Sequence, residues 1–160
     1  MTIRTDVLRA DILITAEQLA ERVEAGESIT ILDVRWQLDR PDGFARAHDR
    51  PGAAEPVDPV AGHIPGARTL PSGSLLDDAG FFRPAAELEQ RFGAVGAADA
   101  SVVGVYCGSG VTAAVDIAAL AVLGIGAALF PGSWSQWSAN PALPVATGSS
   151  TARGEDDSRS

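Results

Sequence analysis

The longest apolar stretch of the chain, residues 102–130, sets the tightest limit on its fold. It is long enough for a membrane-spanning helix, but it holds several glycines, Asp116 and the turn-like sequence Gly108-Ser109-Gly110. A buried strand at 102–106, a helix at about 111–123 and a second buried strand at 127–130 explain this pattern better. We therefore expect a buried strand–loop–helix–strand unit rather than a membrane helix.

The rest of the chain has the same alternating pattern. Thr15 and Gln18 form a capping-box sequence that starts a short amphipathic helix, and residues 28–34 read as a buried strand. A short strand at 67–70, a helix at 84–92 and a helical turn at 133–138 follow, while residues 36–66 lack periodicity and indicate a long surface loop. This order predicts a single α/β domain over residues 1–148, with a central, mainly parallel sheet covered by helices on both faces. Residues 149–160 have a composition typical of a disordered tail.

Composition excludes several classes of function. The 160 residues suit one domain, and the net charge of −9 argues against nucleic-acid binding, which needs clustered basic residues. A single cysteine cannot form an internal disulfide, and residues 1–10 do not read as a signal peptide, so we expect a cytoplasmic protein. One cysteine and two histidines make no metal pattern, so we expect neither a metal nor a cofactor.

The cysteine lies where reactive cysteines are found. Cys107 directly follows the predicted strand at 102–106, and the glycine-containing loop 108–112 leads from it into a helix. Ligands bind at this end of the strands in open α/β sheets. Two glycines within three residues let successive backbone N–H groups point inward as an anion-binding nest, which stabilises a thiolate. A small buried hydrophobic cysteine is the alternative, but such a cysteine needs no glycine loop.

Four sequence stretches together resemble the rhodanese family of thiosulfate and 3-mercaptopyruvate sulfurtransferases. The loop Cys107-Gly108-Ser109-Gly110-Val111-Thr112 resembles the family's active-site loop. Asp33-Val34-Arg35 resembles the end of its early strand, and residues 55–67 resemble the signature before its next strand. Gly132-Ser133-Trp134 with the residues up to Trp137 resembles its closing motif. The resemblance covers residues 29–148 in order, which makes it far more specific than any one motif.

The resemblance implies a chemistry and a set of site residues. Cys107 would take a sulfur atom as a persulfide and pass it to cyanide or a thiol, without a cofactor. The loop residues Gly108, Ser109, Gly110, Val111 and Thr112 would bind the anionic groups through their backbone. Donors would be small anions, thiosulfate or 3-mercaptopyruvate, and the Gly-Ser-Gly sequence is more usual in relatives that use the second.

Cationic and supporting residues are less firmly indicated. Arg35 is expected either to bind the anionic substrate or to pair with a neighbouring acid. The family's substrate arginine matches Arg50 best, with Arg40 and Arg46 as alternatives. His63 would support the site, as a base or more simply by ordering its own turn. Trp134 would wall the pocket or pack in the core.

The sequence leaves two alternative functions and raises the question of the oligomeric state. A non-catalytic rhodanese module for partner binding or redox sensing is the main alternative. A cysteine phosphatase is disfavoured, because Thr112, Ala113 and Ala114 stand where a phosphate-binding arginine would end the loop. Enzymes of this family commonly carry two such domains, with the site near the interface between them. This chain resembles one domain, so we expect either a homodimer, in which the second copy closes the site, or a more open pocket. We expect no membrane partner.

Overall fold

The computed structural model describes residues 13–35 and 60–147 and contains one four-stranded parallel sheet. The strand order is β2-β1-β3-β4. The strands are β1 (Ile29–Asp33), β2 (Arg68–Thr69), β3 (Val102–Tyr106) and β4 (Ala127–Leu129). The helices are α1 (Ala16–Glu24), α2 (Ala85–Ala94), α3 (Ala113–Val122) and α4 (Ser133–Ala139), with a 3-10 helix at Ser72–Leu75. This architecture confirms the predicted α/β fold.

The register of the sheet brings the functional loops to one edge. In the central pair, Asp33 of β1 lies opposite Tyr106 of β3, each the last residue of its strand. Because parallel strands end on the same side, the chain that leaves β1 and the chain that leaves β3 emerge next to each other. Cys107 and Arg35 therefore start from neighbouring strand ends.

Helix α1 begins as its sequence predicts. The Thr15 hydroxyl accepts the backbone N–H of Gln18, and the Gln18 side chain accepts the backbone N–H of Thr15. This reciprocal pair satisfies two N–H groups that the first turn leaves without helical partners. The helix ends at Glu24, just before Gly26, whose φ of 65° suits the left-handed end of a helix.

Alternate strand residues divide the interior into two apolar layers. The layer that includes α2 and α3 is built from Leu32, Val34, Val103, Val105, Leu75, Leu88, Phe92, Cys107 and Leu120 with smaller neighbours. The opposite layer, with α1 and α4, is built from Ile14, Leu19, Ile31, Ile64, Tyr106, Phe130, Trp134 and Trp137. Both faces of the sheet are thus buried, as parallel sheets require.

The apolar stretch 102–130 resolves into β3, a loop, α3 and β4. Within residues 13–35 and 60–147, no helix is long and apolar enough to cross a membrane. Element ends differ slightly from the prediction: α3 begins at Ala113 rather than at residue 111, and Pro84 is the N-cap of α2 rather than its first residue. The 3-10 helix was not predicted, because four residues carry too little periodicity to identify one.

Candidate active site at Cys107

Cys107 is the first residue after β3 and is only 2% exposed. Its sulfur accepts a hydrogen bond from the backbone N–H of Gly110, with an N–Sγ distance of 3.1 Å. The sulfur is thus buried and has a backbone N–H donor aimed at it.

Gly110 owes its position to the absence of a side chain. Its φ is 88°, and a Cβ atom there would lie 2.1 Å from the backbone oxygen of Pro131. Gly108 differs, because a Cβ there would meet no atom within 4 Å. Of the two loop glycines, Gly110 is therefore the one that the close approach of the Pro131 backbone requires.

The other predicted loop residues surround the sulfur at the surface. Ser109 and Val111 are exposed, and Val111 is 78% exposed, whereas Gly108 and Thr112 are half-buried. Thr112 is the N-cap of α3, without a hydrogen bond from its side chain to the first turn. The Ala114 and Val115 N–H groups of the first turn donate to the Val111 and Thr112 oxygens, at 3.3 and 3.0 Å. Of the predicted nest, the backbone donor that reaches the sulfur in the described residues is the Gly110 N–H.

Ser133 is a site residue that the sequence reasoning missed. Its hydroxyl oxygen accepts the backbone N–H of Cys107 at 3.1 Å, lies 3.9 Å from Sγ and donates to the Phe130 oxygen at 3.0 Å. Ser133 is buried and has a φ of 50°, a strained value for a residue other than glycine. Its place in the closing motif beside Trp134 was the available signal.

Backbone hydrogen bonds join the start of α4 to the cysteine loop. The Trp134 N–H donates to the Cys107 oxygen and the Ser135 N–H to the Gly108 oxygen, both at 3.0 Å. The Ser135 hydroxyl also donates to the Gly108 oxygen. These bonds fix the loop on the side of α4, so the position of the sulfur depends on a segment 26 residues away in sequence.

Arg35 is 4% exposed and forms a close ion pair with Asp33, with an N–O distance of 2.6 Å. It also donates to the Gly62 oxygen at 2.7 Å, and its guanidinium lies 5.1 Å from the centre of the Trp134 ring. These contacts favour the pairing role that the sequence left open for Arg35. Trp134 is fully buried, and its indole N–H donates to the Val60 oxygen.

Tyr106 extends this buried network. Its hydroxyl donates to Asp33 at 2.8 Å and accepts the Ile64 backbone N–H at 3.2 Å. Burial, reinforced by the neighbouring Asp33 carboxylate, raises the pKa of Tyr106 well above its ordinary value of 10. The phenol is therefore a neutral hydrogen-bond donor that holds the ends of β1 and β3 together.

His63 is completely buried, and its Nδ1 lies 3.0 Å from the Ile64 oxygen. Its backbone exchanges two hydrogen bonds with Ala146, each of 2.9 Å. This geometry favours the second predicted role, in which His63 orders its own turn. Arg40, Arg46 and Arg50 lie outside the described residues, as do the predicted tail and most of the long loop.

Comparisons with known proteins place the chain in a family. The model of the rhodanese-like domain matches residues 15–140. A Mycobacterium tuberculosis protein named "Putative thiosulfate sulfurtransferase SseB" is 50% identical over 129 residues, which are 81% of this chain and 42% of that protein. The "Probable 3-mercaptopyruvate sulfurtransferase" of Pseudomonas aeruginosa is 47% identical over 108 residues, or 65% of this chain and 38% of that protein.

A solved structure agrees with the fold. The Tum1 protein of Saccharomyces cerevisiae superposes with a TM-score of 0.66 at 23% identity, over 88% of this chain and 47% of that protein. The chain thus spans about two-fifths of the length of the curated relatives named above. The family match, the parallel sheet and the cysteine loop at its carboxyl edge agree, and the chain belongs to the rhodanese family.

Proposed function

We propose that this domain is a sulfurtransferase in which Cys107 carries the transferred sulfur as a persulfide. The observation that carries the proposal is the environment of Sγ, which receives the Gly110 N–H at 3.1 Å and has the Ser133 hydroxyl 3.9 Å away. A persulfide bears its negative charge one atom further out than a thiolate does. The Gly110 N–H can stabilise both states.

Sulfur transfer would take place in two half-reactions, with thiosulfate or 3-mercaptopyruvate as the donor. With thiosulfate, the Cys107 thiolate attacks the outer sulfur, the S–S bond breaks, and sulfite leaves with the electron pair. With 3-mercaptopyruvate, the C–S bond breaks, and the pyruvate enolate that leaves takes up a proton. In the second half-reaction, cyanide or a thiolate attacks the outer sulfur of the persulfide, which forms thiocyanate or a new persulfide and restores the Cys107 thiolate.

The sequence of the loop supports 3-mercaptopyruvate as the preferred donor, although the names of the relatives divide between the two donors. Ser109 is exposed on the loop, where its hydroxyl could supply the proton that the enolate needs. Arg50 is the proposed ligand of the donor's anionic group, with Arg40 and Arg46 as alternatives. Arg35 supports the site through Asp33 and Trp134.

The test is a cyanide-dependent thiocyanate assay with each donor, on the wild type and on Cys107→Ser. We expect turnover only in the wild type, together with a mass increase of one sulfur after incubation with donor alone. Arg40→Gln, Arg46→Gln and Arg50→Gln identify the donor's ligand, because one of them should raise KM about tenfold or more. Arg68→Gln, at an exposed position of β2, is the matched control.

The alternative function is a non-catalytic module that binds a partner or senses oxidation through Cys107. The 2% exposure of Cys107 favours it, because a donor must reach a sulfur that is almost covered. A folded protein that shows no turnover and takes up no sulfur by mass spectrometry would eliminate the sulfurtransferase and leave the module. Sedimentation in the same buffers tests the predicted homodimer.

A further inference from the structure

A buried acid–hydroxyl pair lies beneath the cysteine loop and takes no part in the chemistry described above. Asp116 lies in the first turn of α3 and is 0% exposed, and Ser72, the first residue of the 3-10 helix, is 1% exposed. The two side chains are hydrogen-bonded to each other across 44 residues of sequence. The pair thus links the segment after β2 to the helix that follows the cysteine loop.

The Ser72 hydroxyl has three acceptor oxygens around it but only one hydrogen to donate. Its hydroxyl oxygen lies 3.2 Å from the Val34 oxygen, 3.5 Å from the Thr112 oxygen and within hydrogen-bond distance of Asp116 Oδ2. A hydroxyl carries one hydrogen and can fully serve one of these acceptors. The other carboxyl oxygen of Asp116, Oδ1, is buried and has no hydrogen-bond partner among the described residues.

A proton on Asp116 resolves this conflict. An ionised carboxylate would take the single Ser72 hydrogen and leave the Val34 oxygen with the longer bond from the Ser72 backbone N–H, at 3.4 Å. It would also hold a buried charge with one oxygen unsatisfied among the described residues. A neutral acid instead donates its own hydrogen to the Ser72 oxygen, so that the hydroxyl can donate to Val34. Burial is also the main reason that the pKa of Asp116 is raised to about 8, although the Ser72 bond and its own backbone N–H lower it.

Among residues 13–35 and 60–147, no charged side chain on the elements that pack against α3 compensates an anion at this position. Helix α3 packs against β3, β4 and the 3-10 helix. The last two carry no titratable residue, and Tyr106 of β3 has its hydroxyl on Asp33, in the opposite layer. The charged residues around α2 are only partly covered or exposed: Arg83, Glu87, Glu89 and Arg91. The titratable group that shares this apolar layer is the thiol of Cys107, itself an acid.

We propose that Asp116 is a positioning residue held as a neutral carboxylic acid, which clamps the cysteine loop through Ser72 to the end of β1. The proton frees the Ser72 hydroxyl for the Val34 oxygen and fixes the start of α3, where the loop ends at Thr112. It also keeps a second negative charge away from the Cys107 thiolate. The inference rests on the proposed function only in taking Cys107 to be the reactive group.

The test measures the alkylation rate of Cys107 by iodoacetamide against pH, followed by intact mass. This reaction requires no sulfur transfer, so its outcome is independent of whether the domain is a sulfurtransferase. We expect Asp116→Leu and Ser72→Ala to slow alkylation at pH 7 about tenfold, because the loop loses its clamp. Asp116→Asn keeps a donor for Ser72, so its alkylation rate at pH 7 should stay within about twofold of the wild-type rate. Above about pH 8, where Asp116 of the wild type ionises, the two rates should diverge.

An infrared measurement decides the protonation state, and a control variant completes the test. The infrared difference spectrum of the wild type minus Asp116→Asn at neutral pH should contain the carbonyl band of a protonated acid. Glu89→Gln, which makes the same change from acid to amide at an exposed position of α2, should leave the alkylation profile unchanged. A missing acid band overturns the proposal, and so does an Asp116→Asn variant as slow as Ser72→Ala. A folded Asp116→Leu with the wild-type profile also overturns it; if that variant does not fold, the other measurements decide.

Discussion

Replacing Asp116 by asparagine should change how the stability of this domain depends on pH. In the folded protein, burial raises the pKa of Asp116 to about 8 from an ordinary value of 3.8. The folded state therefore holds the proton more tightly than the unfolded state does, which is the opposite of a carboxylate in a salt bridge. The contribution of Asp116 to stability is complete below pH 3.8 and is lost as the pH rises towards 8.

The magnitude follows from the two pKa values. Between them, the unfolding equilibrium constant of the wild type rises about tenfold per pH unit from this group alone, a total of about 6 kcal/mol. A domain of this kind has a total stability of about 5–15 kcal/mol. The asparagine of the variant does not titrate. One of its two amide N–H groups can donate to Ser72, but the other is buried without an acceptor among the described residues, which costs about 1–3 kcal/mol at every pH. The variant should be less stable than the wild type near pH 4 and more stable near pH 8.

Urea denaturation followed by tryptophan fluorescence, from pH 4 to pH 9, measures the difference between the two free energies of unfolding. Glu89→Gln controls for the change in net charge, because Glu89 is exposed on α2. A difference that stays flat across this range would refute the reasoning, since it would mean that Asp116 is ionised in the fold at ordinary pH. A difference of the opposite sign would show that the folded environment stabilises the carboxylate.

Further substitutions test the site itself. Gly110→Ala should slow alkylation of Cys107 about tenfold or more, because its Cβ would clash with the Pro131 oxygen; Gly108→Ala, with open space, should not. Ser133→Ala should cost about 1–3 kcal/mol in urea denaturation, because it leaves the buried Cys107 N–H without the hydroxyl that accepts it; a loss below about 0.5 kcal/mol would contradict this. Arg35→Gln should cost about 3–5 kcal/mol of stability, because it removes the cation that is paired with the buried Asp33 carboxylate; an unchanged stability with a raised donor KM would instead make Arg35 a substrate ligand.

Much of the fold could be predicted because it depends on local patterns. The capping box at Thr15 and Gln18 gives the start of α1, and the apolar run with its glycines gives β3, the loop and α3. Each of these signals lies within one element and its flanks, where periodicity and turn chemistry operate. The placement of Cys107 at the end of a parallel strand followed from the same patterns.

The partners of those elements could not be predicted from local patterns. Ser133 reaches the cysteine across 26 residues, and Arg35 meets Trp134 only because α4 packs on the face of the sheet where β1 ends. Which of two roles Arg35 takes depends on burial, and burial is decided by packing rather than by residue type.

Asp116 shows the division between sequence and tertiary structure most clearly. In the sequence it is a charged residue in an apolar run, and it served there only to argue against a membrane helix. The sequence by itself determined the parallel α/β fold, the position of Cys107 at the end of a strand and the helix that carries Asp116. Only the tertiary structure decided that this acid is fully buried against Ser72, because the 3-10 helix that brings Ser72 there belongs to a segment 44 residues away.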